Sequence, residues 1–199
     1  NDKILQLERQ SYYIYNNITL KYNISKYEKS TIHHINCHSN HYFGLTGIDV
    51  KEIKINLNAK SGSSTSGEVT LTEKNGVVTL EAHIFGLDPG THAIHLHEKA
   101  DCSSDDGKST GGHWNPTFEA HGAWNSPEGF HRGDIGNFEA DQTGHGMVNF
   151  TTNLWCIGCD DPVKNILEKA IIVHQGTDDF VSQPSGAAGA RISCAGIIN

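Results

Sequence analysis

The stretch VTLTEKNGVVTLEAHI, residues 69–84, predicts two neighbouring strands joined by a tight turn. Apolar side chains alternate with polar ones on both sides of Asn75-Gly76, which is the pattern of half-buried strands. An Asn-Gly pair suits the two positive-φ positions of a type I′ turn, so the two runs should form an antiparallel hairpin. This hairpin favours a fold built from β-strands and short turns.

The same alternation continues outward in both directions. Residues 50–57 predict an earlier strand, followed by a polar turn, GSSTSG, at 62–67. Beyond the turn at Asp88-Pro89-Gly90, further strands are predicted at 91–97, 135–140, 146–152, 170–174 and 191–198, and no segment has a convincing helical period. About eight short strands predict an all-β fold, an eight-stranded antiparallel Greek-key sandwich or flattened barrel with long functional loops.

Residues 1–48 differ from the domain that we expect at 49–199. They are rich in Tyr, Asn and Lys without a sustained period, so we interpret them as a loosely ordered N-terminal extension. The extension ends in five metal-binding side chains within nine residues: His33, His34, Cys37, His38 and His41. An accessory metal site is one interpretation, and a flexible polar tail with a stray thiol is the other.

Charge and cysteine content limit the partners and the compartment. The net charge is −8, with five Lys/Arg against three Asp/Glu in residues 1–48 and ten against twenty in residues 49–199. Nucleic acid and anionic membrane surfaces both require basic patches, so this balance argues against them. No apolar run approaches the roughly 20 residues that span a bilayer. Five widely separated cysteines suit one or two bridges plus an odd thiol, which favours an oxidising compartment.

The segment WCIGC brings Cys156 and Cys159 close together in the chain. A thioredoxin-like redox pair would need a βα context, which this sequence lacks. We therefore favour a local disulfide, with an extra metal site or a free dithiol as the alternatives.

Six of the thirteen histidines fall between positions 92 and 131. His95 and His97 are two residues apart on a predicted strand, so they share a face and can chelate one ion. His92 shares the other face with two aliphatic residues, and we interpret it as a core histidine bonded to a backbone carbonyl. The 36 residues at 98–133 have no period and many turn formers, and a loop of that length indicates a functional role.

The remaining ligands favour two metal ions. Three imidazoles and one carboxylate form a complete tetrahedral set for a structural zinc: His113, His121, His131 and Asp134. The chelating pair on the strand still lacks ligands, and His174 could complete an all-imidazole set suited to copper. Because an imidazole has two nitrogens, a histidine that loses both protons could serve both ions.

Residues 49–199 resemble the copper/zinc superoxide dismutase family in five segments that occur in the family's order: THAIHLHE, GGHWNP, HRGD, AIIVHQGTDD and GAAGARISC. The loop at 175–190 is short and has no lysine, which looks more like the bacterial members. The resemblance implies copper and zinc cofactors and dismutation of superoxide to dioxygen and hydrogen peroxide. It also implies a copper redox cycle with a zinc-anchored bridging histidine.

The resemblance assigns roles to individual residues. The implied copper ligands are His95, His97, His113 and His174, and the implied zinc ligands are His113, His121, His131 and Asp134. His113 would be the catalytic bridging imidazolate, which releases copper and picks up a proton. Asp178 would bond His95 and His121, Arg191 would dock the anionic substrate, and Cys102 would form a disulfide with Cys194.

The same residues argue against two other classes of protein. A copper or zinc delivery or storage protein of this fold would usually lack part of the copper set or Arg191, and both are present. A double-stranded β-helix enzyme needs a carboxylate three or four residues after H-x-H, whereas Glu98 follows at once. The expected compartment is the periplasm or the extracellular space, and superoxide is the expected substrate. A homodimer and a copper-delivery partner are hypotheses that the residues leave open.

Overall fold

The computed structural model describes residues 50–198, which form eight antiparallel strands around a barrel. The strands are β1 (Val50–Ala59), β2 (Ser66–Lys74), β3 (Val77–Phe85), β4 (Gly90–His97), β5 (Gly136–Ala140), β6 (Gly146–Thr152), β7 (Ala170–His174) and β8 (Arg191–Gly196). The only helical turn in this part of the chain is a 3₁₀ turn at Lys108–Thr110. The all-β prediction is therefore confirmed.

The strands follow the order β1-β2-β3-β6-β5-β4-β7-β8, and β8 pairs with β1 to close the sheet. Because β3 lies beside β6 and not beside β4, the chain crosses two strands before it returns through β5, as in a Greek key. Closure leaves none of these strands with a free edge.

The hairpin forms as its sequence predicts. Asn75 and Gly76 both take positive φ, 54° and 74°, as a type I′ turn requires. Leu71 and Leu80 face each other across the hairpin, and both are fully buried in the core. β2 begins at Ser66, inside the predicted polar turn. Gly67 allows this pairing, because a Cβ at that position would overlap the His83 carbonyl oxygen and keep β3 away.

β4 and β7 carry the site because both of their faces are covered. Ile94 and Leu96 lie in the core, while His95 and His97 point to the outer face. On the same outer side, a small apolar cluster contains Ile172 of β7. Two segments flank this face: the long loop (residues 98–135) and the mouth loop (residues 175–190).

Two disulfides secure the loops. Cys102 of the long loop is bonded to Cys194 of β8, 92 residues away. Cys156 is bonded to Cys159 in the cap loop (residues 153–169), so the local disulfide predicted for WCIGC is confirmed. The cap loop also buries Trp155 in the core.

The predicted N-terminal extension and its metal-binding cluster (His33, His34, Cys37, His38 and His41) lie outside the described residues. Across residues 50–198, no helix combines the length and the apolar character that crossing a bilayer requires.

Candidate metal centre

Two groups of buried side chains each bring four potential ligand atoms within 4.8 Å of one another. The first, called here the imidazole group, consists of His95, His97, His113 and His174. The second, called the carboxylate group, consists of His113, His121, His131 and Asp134. The structure thus brings together the side chains that the sequence predicted as copper and zinc ligands, with His113 in both groups.

Backbone pairing sets the position of the shared residue. His113 forms an isolated antiparallel bridge with His97 at the end of β4. The Trp114 N–H donates to the Leu96 carbonyl at 2.8 Å, and the Glu98 N–H donates to the Gly112 carbonyl at 3.0 Å. The long loop therefore folds back so that residues 112–114 run beside the end of β4, which puts His113 next to the two strand histidines.

The tautomers of the imidazole group follow from carbonyl contacts. Nδ1 of His97 lies 3.0 Å from the Gly111 oxygen, and Nδ1 of His174 lies 3.4 Å from the Gly189 oxygen. A carbonyl can only accept, so both Nδ1 atoms carry the proton and both Nε2 atoms carry a lone pair. These two Nε2 atoms are 3.3 Å apart. Two lone pairs at that separation are the arrangement expected of ligands that converge on one cation.

Burial keeps these rings ready to bind a metal ion. Burial and the neighbouring His113 lower the pKa of His97 well below its ordinary value, and burial and His95 do the same for His174. Both rings are therefore neutral at pH 7. Metal ligation requires neutral imidazole, so protons compete weakly for these two nitrogens.

Within the two groups, four buried ring nitrogens have no hydrogen-bond partner, which tests whether metal ions fit there: His95 Nδ1, His113 Nε2, His121 Nδ1 and His131 Nδ1. An unpaired buried polar atom costs about 1–3 kcal/mol, so four in adjoining groups require an explanation. Nδ1 of His121 is 3.0 Å from Asp134 Oδ2, yet the two are not oriented as a hydrogen bond. Atoms that share one ion have this relation, and the donors match copper and zinc preferences.

Asp134 organises the carboxylate group. Its Oδ1 lies 2.8 Å from His113 Nδ1, and its Oδ2 accepts the His131 N–H at 2.8 Å. Burial alone would raise its pKa, but contacts with His113 and His121 hold the pKa well below the ordinary value. Burial lowers the pKa of His113 to about 4, and contacts with Asp134 and Asp178 overcome burial to raise that of His121 to about 9.

Asp178 joins the two groups. Its Oδ2 accepts from His95 Nε2 at 2.8 Å, and its Oδ1 accepts from His121 Nε2 at 2.9 Å. Each contact occupies Nε2, so Nδ1 is the nitrogen of each ring that faces its own group, and His121 can use it as a ligand once the ring loses its second proton. Asn137 on β5 holds the Asp178 backbone, since its amide exchanges two hydrogen bonds of 2.9 Å with the Asp178 N–H and carbonyl. Nothing in the local sequence pattern pointed to Asn137.

His92 lies on the other face of β4, as the alternation predicts. Its Nε2 is 2.8 Å from the Asp88 carbonyl and its Nδ1 is 3.0 Å from the His174 carbonyl. The interpretation of His92 as a buried histidine held by backbone carbonyls is therefore confirmed.

The family model described as copper/zinc superoxide dismutase matches residues 65–197. This chain belongs to that family. The superoxide dismutase [Cu-Zn] 2 of Aquifex aeolicus is 37% identical over 133 residues, which cover 64% of this chain and 76% of the relative. The superoxide dismutase [Cu-Zn] of Caulobacter vibrioides is 36% identical over 133 residues, which cover 65% of this chain and 76% of the relative. The crystal structure of a SOD-like protein from Bacillus subtilis aligns with a TM-score of 0.65 at 29% identity, over 73% of this chain and 97% of that chain.

Membership of the copper/zinc superoxide dismutases makes the chain an oxidoreductase that acts on superoxide, with copper and zinc as cofactors. A cavity of about 820 Å³ opens onto the imidazole group and is lined by His97, His113 and His174. Arg191 lines the same cavity. Its Nη1 donates to the Gly107 carbonyl at 2.9 Å and to Thr110 Oγ1 at 3.1 Å, so the long loop fixes the guanidinium.

The same cavity also holds charged residues that no local sequence pattern indicated. Lys108 reaches it from the long loop, so a lysine stands at the mouth although the mouth loop has none. Three carboxylates line the cavity as well: Glu98, Asp106 and Glu119. Nζ of Lys108 is 2.9 Å from Asp106 and its side chain is 77% exposed, so solvent and the carboxylate offset its charge. These residues could not be predicted from the sequence, because only the fold brings them together in one cavity.

Proposed function

We propose that the chain dismutates superoxide with copper in the imidazole group and zinc in the carboxylate group, and that His113 bridges the two ions. The observation that carries this proposal is the two-sided environment of the His113 ring. Nδ1 lies 2.8 Å from Asp134, whereas Nε2 is buried without a hydrogen-bond partner beside the imidazole group. A ring used on both sides is the arrangement that a bridging imidazolate requires.

His113 is also the residue best situated to move a proton. Bound copper would supply the one-electron chemistry, in which one superoxide is oxidised to dioxygen and a second, with two protons, is reduced to hydrogen peroxide. His113 is one of the residues that line the cavity, and its buried Nε2 has no other hydrogen-bond partner, so this nitrogen can take up a proton and give it back to the product. The contact of Nδ1 with Asp134 holds the ring in place throughout.

Arg191 would bind and orient the substrate anion. Arg191 lines the cavity together with His97 and His174, and two acceptors of the long loop hold its guanidinium in one position. A fixed cation in a cavity with three carboxylates supplies locally the attraction that an acidic protein lacks overall.

Turnover of the metal-loaded protein tests this function. The protein loaded with copper and zinc should dismutate superoxide, and Arg191→Ala should lower kcat/KM by about tenfold with both ions retained. Lys108→Ala is the matched control, because it removes another cation from the same cavity. Its charge is already offset by Asp106, so the expected loss is about twofold and should vanish at high salt.

Metal content has to be measured beside the rates. A wild-type protein that binds two ions per chain and shows no turnover would overturn the enzyme reading and leave metal storage or delivery in its place. Equal losses in the two variants would contradict the role of Arg191 as the anchor of the anion.

The bridge itself can be tested by counting protons. At pH 7 the metal-free His113 ring is neutral, because its pKa lies at about 4, and it keeps a single N–H. Copper added to the zinc-loaded protein should displace that proton, whereas copper added to the zinc-free protein should leave it on Nδ1, facing Asp134. The zinc-loaded protein should therefore release about one more proton per copper, measured by calorimetry in buffers of different ionisation enthalpy. Equal release in the two titrations would rule out a shared imidazolate.

We also propose an oxidising compartment, periplasmic or extracellular, because two disulfides tie the loops of this domain. A homodimer, a copper-delivery partner and the domain boundary at residue 49 stay predictions from the sequence.

A further inference from the structure

Gln183 of the mouth loop makes a paired contact with the long loop. The His121 N–H donates to Gln183 Oε1 at 2.9 Å, and Gln183 Nε2 donates to the His121 carbonyl at 2.9 Å. One side-chain amide thus satisfies both backbone groups of a residue 62 positions away. Asn137 does the same for Asp178, so the two residues at the junction of the metal groups are each held by an amide.

The turn that carries Gln183 is ordered by its own contacts. The Asp179 carboxylate accepts the Val181 N–H at 2.9 Å and the Ser182 N–H at 2.8 Å. The Asp179 N–H donates to the Gly186 carbonyl at 2.9 Å, which closes the turn. Gly186 has a φ of 65°, and a Cβ there would overlap the Asp178 carboxylate. The hydrogen bonds of this turn therefore hold the Gln183 side-chain amide in a fixed position.

The His121 ring has little freedom to adjust if the contact between Gln183 and its backbone is lost. Its Nε2 is bonded to Asp178 Oδ1 at 2.9 Å, and its Nδ1 lies 3.0 Å from Asp134 Oδ2. The next residue, Gly122, donates its N–H to Asp134 Oδ2 at 3.3 Å. The ring can meet both carboxylates only while its backbone stays in place. Metal ligation tolerates errors of about 0.2 Å, so a small backbone shift would degrade the donor set.

We infer that Gln183 is a positioning residue for His121, which ties retention of the ion in the carboxylate group to the conformation of the mouth loop. The inference rests on the proposed zinc site. It gives the mouth loop a second task, because the segment that lines the copper cavity also fixes a ligand of the other ion.

The experiment compares Gln183→Met with Gln142→Met in the full-length chain. Methionine keeps the length of glutamine but has neither the donor nor the acceptor, and Gln142 is an exposed glutamine outside both groups. Gln183→Met should speed the transfer of zinc to a chromogenic chelator by about tenfold, whereas Gln142→Met should match the wild type. With cobalt(II) in place of zinc, the visible bands of the four-coordinate site should shift in Gln183→Met only.

Two further readings separate a positioning role from general destabilisation. The visible band of bound copper should be unchanged in Gln183→Met, and hydrogen exchange at the His121 amide should be faster. Equal zinc transfer rates and equal cobalt spectra in Gln183→Met and the wild type would overturn the role of Gln183 alone. A wild-type protein that holds no zinc, or whose zinc is unaffected by His131→Ala, would overturn the zinc site and this inference with it.

Discussion

Replacing Asp178 with asparagine should weaken the binding of both metal ions, each by about tenfold to a hundredfold. The carboxylate accepts from His95 and from His121, and it is fully buried. Although burial would raise its pKa, the contacts with the two rings hold the pKa below the ordinary value, so the group is charged at pH 7. An asparagine offers one oxygen and one NH₂, so one ring would face a donor with its own N–H.

That ring would have to move its proton to Nδ1, the nitrogen that its metal ion needs, and the disturbance would pass through the side chain to the other ring. Competition with chelators of known affinity measures the two ions separately. Asp141→Asn is the control, because Asp141 accepts backbone N–H groups in a turn but touches no ligand. A loss confined to one ion would contradict the joining role of Asp178.

Removing the Cys102–Cys194 disulfide should lower the free energy of unfolding of the metal-free protein by about 5 kcal/mol. The bond closes a loop with a sequence separation of 92, and the loss of chain entropy in the unfolded state grows with loop length. The same bond anchors the part of the long loop whose Gly107 carbonyl holds Arg191. We therefore expect the paired variant Cys102→Ala/Cys194→Ala to lose turnover even at temperatures where it is folded.

The second disulfide supplies the comparison within the same chain. Cys156 and Cys159 are separated by only three positions, so Cys156→Ala/Cys159→Ala should cost about 2 kcal/mol. The cap loop does not line the cavity, so this variant should keep its turnover. Urea unfolding and superoxide assays of both variants check the expectation. Equal stabilities of the two variants would contradict the dependence on loop length. An equal or larger loss of turnover from the cap-loop pair would contradict the anchoring of Arg191 by the Cys102–Cys194 bond.

The strands could be predicted from the sequence because each carries its signal within a few residues. Asn75-Gly76 defines the central hairpin, and the alternation of Ile94 and Leu96 with His95 and His97 separates the two faces of β4. Local pattern fails only at ends such as the start of β2, where Gly67 pairs although it reads as part of a turn. There the decisive contact is with β3, which no local pattern contains.

The site was predictable as far as residue type marks it. Histidines in number stand out in any sequence, and the spacing of the ligands predicted a second group. Gln183, Asn137 and Lys108 were invisible because glutamine, asparagine and lysine are ordinary surface residues. Their roles come from contacts between segments that are 41 to 62 positions apart, or from a shared cavity. The assignment of His113 as the residue shared by both ions came from the family resemblance.

The division of β4 into an inner and an outer face has a consequence for quality control of folding. A slip of one residue in the pairing of β4 with β7 would turn His95 and His97 inward and expose Ile94 and Leu96. The misaligned barrel would bury unpaired imidazoles and would present no chelating pair to a metal ion. Core residues and metal ligands alternate along β4, so only a chain with the native strand register can bind the metal ions. Metal binding therefore selects correctly aligned chains.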